Sequence, residues 1–478
     1  VRKASTTILN GTLVLVKQIS FKWLTYLIAK ILFISGLCIY AFYFATSLPE
    51  IHTQVQTQQH PLVTVQASDQ DWPGWRGPGG NGIAAHASPP LNWSTSEGIV
   101  WKVSVPGIGN GSPCIWGQQL FLVTADNESE AVSLVCYDKY NGHLDWSAEL
   151  VQGAFGRKHQ KNTYASTTPA CDGTHIYVTC VVDNMLWVTA VDMNGKIAWQ
   201  TEAGPYYSNH GYSASPVLYN SLVFVSGEHK GYGSIGKLAQ TSFLAALDSS
   251  TGKIVWRVRR PNGDSYNSPI IARVANRSQL LLAGPKTIIS HDPETGKEIW
   301  SCRWVAERPA STLTCDADHV FATASHPDSE VLCIAADGQG DVTETHVRWL
   351  KKKGAADVPS LLEVDGLVYS IDDQGIATCL DATSGDVVWR KRLGGKFSAS
   401  PVVAAGRIYA TNEDGTTYVF LPGRKFSQVA MNKLAEPVLA SPAFSNDQIF
   451  IRTDQSLLCI GPSKREVLAE GKRESSTH

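Results

Sequence analysis

The chain is short of the features that mark nucleic-acid binders and most metal- or phosphate-handling enzymes. Its 41 Lys and Arg nearly balance 43 Asp and Glu, a net charge of −2, and no basic stripe runs along its 478 residues. That removes the electrostatic footprint of a nucleic-acid partner. Arg257–Arg260 and Lys351–Lys353 are short basic clusters that read as solvated edges. The 13 histidines form no H-E-x-x-H and no paired helical spacing, so no metal site is expected. The ten cysteines include neither Cys-x-x-Cys nor an adjacent pair, which argues against zinc. Kinase signatures such as H-R-D and D-F-G are missing as well.

What the chain does have is a repeat, D-x-x-x-G-x-x-x-W. It occurs as Asp138–Gly142–Trp146, Asp248–Gly252–Trp256, Asp292–Gly296–Trp300 and Asp381–Gly385–Trp389. A shortened copy runs Asp192–Gly195–Trp199, and a stretched one runs from Asp337-Gly338 to Trp349. Roughly 25 residues before each Asp, Ser/Thr-Pro opens an apolar run, as at Ser112-Pro113, Thr168-Pro169, Ser215-Pro216, Ser268-Pro269, Ser400-Pro401 and Ser441-Pro442. Thr312-Leu313 and Val358-Pro359 are weaker copies. Units of about 40–55 residues with four short strand signals predict propeller blades. In the seventh unit, Ala399–Ala404, Arg407–Thr411 and Thr417–Leu421 are strands, with Asp414-Gly415 as a hairpin turn. In the repeat itself Asp caps a turn and Gly supplies positive φ, while the indole seals one blade on the next.

Eight units are countable, and the eighth stops at Cys459-Ile460-Gly461 without a fourth strand. A spare strand lies upstream at Ile99–Val103, so the expected fold is an all-β eight-bladed propeller whose N-terminal strand closes the last blade. The seventh unit lacks a Trp, and Phe426–Val429 is expected to take its place.

Residues 1–30 form a basic segment, and Ile31–Leu48 is uncharged over 18 residues, long enough to cross a bilayer. Arg2, Lys3, Lys17, Lys22 and Lys30 precede this span and Glu50, Asp69 and Asp71 follow it. The asymmetry predicts one transmembrane helix with the propeller outside the cytoplasm, at the periplasmic face of an inner membrane. Ala45-x-Ser47 offers the alternative of a cleaved signal peptide comprising residues 1–47. Cys38 is a poor lipidation site, because bulky Leu37 precedes it. Residues 49–70 read as a tether, 71–94 as a Trp-rich clasp, 95–462 as the propeller and 463–478 as a polar tail. Cys136, Cys379 and Cys459 fall where other repeats carry Ala190, Ala246 and Ser290, a slot for a small buried side chain rather than a disulfide.

These motifs resemble the PQQ-like, or quinoprotein-dehydrogenase-like, eight-bladed propellers over roughly residues 95–462. The chain is more narrowly similar to bacterial membrane-anchored PQQ-like repeat proteins. That likeness rests on Asp71–Pro78, Lys161–Ser166, His210-Gly211-Tyr212, Leu393–Pro401, Asn412–Gly415 and Ala440–Pro442. The resemblance implies either of two functional kinds, quinoproteins that oxidise alcohols or sugars with PQQ and calcium, or propellers without a cofactor. The adjacent-cysteine disulfide of many alcohol-oxidising members has no counterpart here. Glu228, Asp264, Asp357, Glu413 and Glu436 show no spacing that groups them around a metal. No catalytic or cofactor-binding residue is therefore assigned.

Gly231–Leu238 matches G-x-G-x-x-G, but it links two strands and Leu238 stands where a P-loop needs Ser or Thr, so it reads as a blade loop. Blade-to-blade links gather on one face, and His159, Asn162, Tyr164, His210, Tyr212, Tyr266 and Lys396 are the candidate ligand-binding residues there. The bland alternative is that they satisfy loop backbone groups. The expected function is a tethered, non-catalytic binding or scaffold module for a protein or cell-envelope ligand, and the alternative is a PQQ-dependent oxidoreductase. A purely structural scaffold would differ only in leaving the funnel without a ligand.

Overall fold

A computed structural model of the chain describes residues 67–68, 70–230 and 242–462. Ile31–Leu48, Cys38, the basic segment, all but the last residues of the tether, the polar tail and the Gly231–Leu238 loop lie outside these. Among the described residues every regular element is a strand, and the strands form eight sheets. Each contains a four-stranded antiparallel meander whose innermost strand opens after the Ser/Thr-Pro motif, and two of the sheets carry a fifth, parallel strand. Blades one to eight begin at Cys114, Ala170, Val217, Ile270, Thr314, Leu362, Val402 and Ala443. The eighth blade supplies three strands of its own, and Ile99–Ser104 pairs antiparallel with Ser456–Ile460 as the fourth. The sheet therefore closes into a ring with no free radial break.

Blade joints explain the repeat. The Trp indole of one blade donates Nε1–H to the carbonyl just after the repeat Asp of the next. Trp101 thus reaches Lys139 at 2.9 Å, Trp199 reaches Ser249 at 2.9 Å and Trp349 reaches Ala382 at 2.8 Å. The repeat Gly of the next blade lies flat on that indole; a Cβ on Gly142 would come within 2.7 Å of the Trp101 ring. The residue opposite each Trp across the sheet is small, as in Cys136–Trp146, Ala190–Trp199, Ala246–Trp256 and Cys379–Trp389. The nine described cysteines are free, and burial raises the thiol pKa of Cys302 and Cys379 to about 11, so these serve as small apolar fillers.

The Ser/Thr-Pro motif has its own role. At six of the eight motif positions the backbone N–H donates to the hydroxyl at the same position of the next blade, and in blade six that position is Ser360, not the expected Val358. The chain of bonds runs Ser112 to Thr168 to Ser215 to Ser268, and again Thr312 to Ser360 to Ser400 to Ser441, at 2.8–3.1 Å. These two arcs satisfy buried backbone donors that no sheet ladder reaches. At Thr312 the hydroxyl instead accepts the Nε1–H of Trp75 at 3.0 Å.

Blades four and seven depart from the repeat. Blade five's stretched hairpin places Gly340-Asp341 parallel to the outer strand of blade four. Trp300, fully buried, donates to Gln279 in its own sheet at 2.8 Å rather than across the joint. In blade seven the Trp position, opposite Val419, holds Ala430, not a residue of Phe426–Val429. Phe426 packs on Trp389 of blade six, with ring centroids 5.2 Å apart. The missing indole comes from upstream: Trp93 stacks on Tyr409 at 6.3 Å, and Asn432 accepts its backbone N–H at 3.0 Å. A small Ala at position 430 leaves room for this borrowed ring.

Residues 70–84 run through the centre of the ring. Trp72 bridges to Ile115 of blade one, and the Pro73 carbonyl accepts from Cys171 N of blade two at 2.8 Å. Trp75 bonds the start of blade five, and Arg76 donates to the Leu361 carbonyl beside blade six at 2.7 Å. Ile83-Ala84 pairs parallel with Val403-Ala404 of blade seven. Arg76 is buried, with Asn81 and Leu361 carbonyls as acceptors, so the structure uses it internally.

Candidate functional site

Innermost strands start on the face of the blade-to-blade links and run away from it. Residues 70–84 enter the channel from the opposite face and reach Thr312, at the head of its strand. The funnel on the link face is therefore a blind pit, with a cavity of about 400 Å³.

Four of the seven expected residues meet there: His159, Asn162, His210 and Tyr266. The His159 and His210 rings stack with centroids 5.9 Å apart, and the Asn162 amide donates to the His210 carbonyl at 2.7 Å. Tyr266 Oη shares a hydrogen bond with His210 Nδ1 at 3.0 Å. Burial, and then the nearby Arg308 guanidinium, hold His210 below the usual imidazole range.

Tyr164, Tyr212 and Lys396 stand apart from this wall. Tyr212 is buried and its hydroxyl donates to the Ser226 carbonyl at 3.0 Å. Tyr164 stacks on Phe155 at 4.0 Å and donates to the Gly156 carbonyl at 2.9 Å. Both flank a minor pocket beside the pit. Lys396 is exposed at the rim, where its carbonyl accepts from Glu413 N at 2.7 Å.

The pit also holds residues that the motif pattern did not single out, chiefly Arg308 and His326. They belong to the fifth unit, whose weak opening at Thr312-Leu313 hid the link before it. Arg308 Nη2 lies 2.7 Å from His326 Nε2, and since guanidinium only donates, His326 accepts there and carries its proton on Nδ1.

The five carboxylates scatter. Glu228 forms a buried ion pair with Arg260 at 2.7 Å, Glu413 binds Lys161 at 2.7 Å, and Glu436 pairs with Lys102. Asp264 accepts from Lys230 N at 3.0 Å, which leaves Asp357 as the carboxylate lining the pit. Among the described residues no three His, Cys, Asp or Glu side chains are grouped to hold a cation.

Asp373 sits behind Asp357, whose backbone N–H it accepts at 2.8 Å. Burial, reinforced by the Asp357 charge, raises its carboxyl to about 6. A folded pKa above the unfolded value of about 3.9 means the native state binds the extra proton between those values. That contribution is present below pH 4 and is lost as pH rises through 6. Asp373→Asn is expected to raise the melting temperature at pH 7.5 and leave it nearly unchanged at pH 4, as scanning calorimetry at both pH values will show.

A second, larger cavity of about 700 Å³ opens on the opposite face, between Pro73–Gly80 and the inner strands of blades two to four. None of the seven expected residues lines it.

The sequence profile of a family described as outer membrane protein assembly factor BamB matches residues 91–242, 240–343 and 328–422. BamB of Yersinia pestis is 23% identical over 268 residues, 52% of this chain, and the match spans 62% of that relative's length. Among solved structures, BamB from Moraxella catarrhalis superposes with a TM-score of 0.54 at 14% identity, covering 76% of this chain and 99% of that one. Quinohemoprotein alcohol dehydrogenase from Comamonas testosteroni gives a TM-score of 0.58 at 11% identity, covering 84% and 83%. At these identities the structural likenesses speak for the fold alone.

Proposed function

The chain belongs to the family described as outer membrane protein assembly factor BamB, and from that premise we propose a non-catalytic propeller that binds protein partners outside the cytoplasm. The observation that carries this reading is the blind pit. Its wall is built from imidazoles, amides, one guanidinium and a lysine that is neutralised by Glu413, while Glu228, Asp264 and Glu436 are engaged elsewhere. Such a wall offers hydrogen bonds and stacking to a ligand, but no grouped acids for metal-assisted oxidation. The role by which the relatives are named, outer membrane protein assembly, is consistent with a protein partner in the envelope. Ile31–Leu48 would tether the propeller to the membrane as a single span, with the positive flank inside. His159, Asn162, His210 and Tyr266 would form the contact wall, with Tyr164, Tyr212 and Lys396 framing it.

Photocrosslinking residues placed at positions 159 and 396 test the reading in cells. Crosslinks to envelope proteins are expected from both, and none from a control position on the outer strand of blade six. In parallel, purified protein mixed with PQQ and calcium is expected to show neither saturable binding nor dye-linked oxidation of alcohols or sugars. Turnover in that assay would establish the oxidoreductase reading instead.

A further inference from the structure

The pit is asymmetric in charge, and its two uncommitted ionic groups stand on neighbouring links. Arg308 precedes blade five and Asp357 precedes blade six, and both line the cavity. Among the described residues no carboxylate lies within ion-pair distance of Arg308, whose one hydrogen bond is the 2.7 Å contact to His326. The remaining guanidinium N–H groups are left for a ligand or solvent. His326 is already committed as an acceptor and holds the fork in place. His210, held neutral by burial and by Arg308 and bonded through Nδ1 to Tyr266, adds a polar but uncharged surface to the same wall. Opposite in character are Val358, 41% exposed although it is a large apolar side chain, and Leu439, both lining the same cavity.

We propose that this pit captures a carboxylate carried by an extended polypeptide, with the carboxylate on Arg308 and an adjoining apolar side chain against Val358 and Leu439. The inference rests on the protein-binding reading given above and names the part of the partner that enters. Three features select this ligand. A planar fork with free donors matches a carboxylate in bidentate geometry better than it matches a neutral acceptor. Asp357, which forms no ion pair with Arg308, lines the same cavity and accepts a peptide N–H next to the bound carboxylate. The closed floor excludes threading, so what enters is a chain end or a side chain rather than a continuous strand. The carboxylate has two sources, a C-terminus or an Asp or Glu side chain, and either satisfies the same chemistry.

The test uses the full chain in detergent and three fluorescein-labelled hexapeptides read by anisotropy. One ends in leucine with a free carboxylate, one is its C-terminal amide, and one is amidated but carries an aspartate before the leucine. Saturable binding of the free acid, weakened about tenfold or more by amidation, is expected. Arg308→Met should remove that preference without lowering the melting temperature, and Arg308→Lys should restore part of it. Recovery of affinity in the amidated aspartate peptide would assign the source to a side chain, and its absence would assign it to the terminus. Equal binding of all three peptides, an unaltered preference in Arg308→Met, or no binding would overturn the inference. Crosslinks to envelope proteins at positions 159 and 396 in that last case would leave the protein-binding reading standing, whereas their loss would end both.

Discussion

A chain beginning at Pro106 is expected to lose cooperative folding, whereas one beginning at Ala67 should melt as the full chain does. Besides the central segment 70–84, the shorter chain lacks three separate components of the ring. The first is Ile99–Ser104, without which Ser456–Ile460 becomes a raw edge with unpaired backbone groups. The second is Trp101, which covers Gly142 and bonds Lys139 at the joint between blades eight and one. The third is Trp93, the indole that blade seven does not encode for itself. Removing a buried Trp costs about 3–5 kcal/mol in typical cores, and a whole domain is stable by about 5–15 kcal/mol. Two such losses and an opened sheet exceed what a single cooperative unit withstands.

A chain beginning at Gly98 separates these contributions, because it keeps the closing strand and Trp101 but lacks the central segment and Trp93. An intermediate stability is expected from urea unfolding, with Trp93→Ala in the full chain reproducing much of the loss. Indistinguishable midpoints for the chains beginning at Ala67 and Pro106 would mean that eight blades close without the upstream strand.

The ring was legible because its joints are periodic. Asp, Gly and Trp recur at fixed spacing for a local reason: the Gly of one blade must lie flat against the Trp of the one before. Ile99–Val103 was recognisable for the same reason, as a fourth strand ending the repeat in the wrong place. What escaped was whatever joined residues without a shared period. Trp93 compensates Ala430 across 337 positions, and only the fold brings them together. Trp300 turning inward to Gln279 follows from an insertion in the next blade, which displaces its usual carbonyl partner.

The same limit governs the site. His159, Asn162, His210 and Tyr266 lie in links flanked by strong motifs, so their face was readable. Arg308 follows Trp304 in a link whose closing motif is the degenerate Thr312-Leu313, and nothing periodic marked it as facing the funnel. Tyr164 and Tyr212 share that face, yet their hydroxyls are consumed by the Gly156 and Ser226 carbonyls. Sequence spacing identifies which loops converge, but not which way each side chain turns.

The joint between blades five and six should show how much stability one Gly–Trp contact holds. Trp349 is buried, donates to the Ala382 carbonyl at 2.8 Å and packs on Phe321 with centroids 6.0 Å apart. Gly385 of the next blade has φ +70°, and a Cβ there would come within 2.5 Å of the Trp349 ring. Trp349→Ala is expected to cost about 3–5 kcal/mol, the usual range for emptying a buried Trp site. Trp349→Phe keeps most of the ring but leaves the Ala382 carbonyl unbonded, at a cost of about 1–3 kcal/mol. Gly385→Ala meets both a left-handed backbone and the indole face, so it must displace the ring. Gly366 isolates the first effect, since it has φ +75° but no atom within 4 Å of a built Cβ. Gly366→Ala should therefore cost only about 1 kcal/mol, from the backbone conformation alone. The difference between the two alanine variants, measured by urea unfolding at equal slope, gives the steric part of the blade joint. Equal costs would show that the indole yields freely, and that the repeat Gly is kept for its turn and not for its contact with Trp.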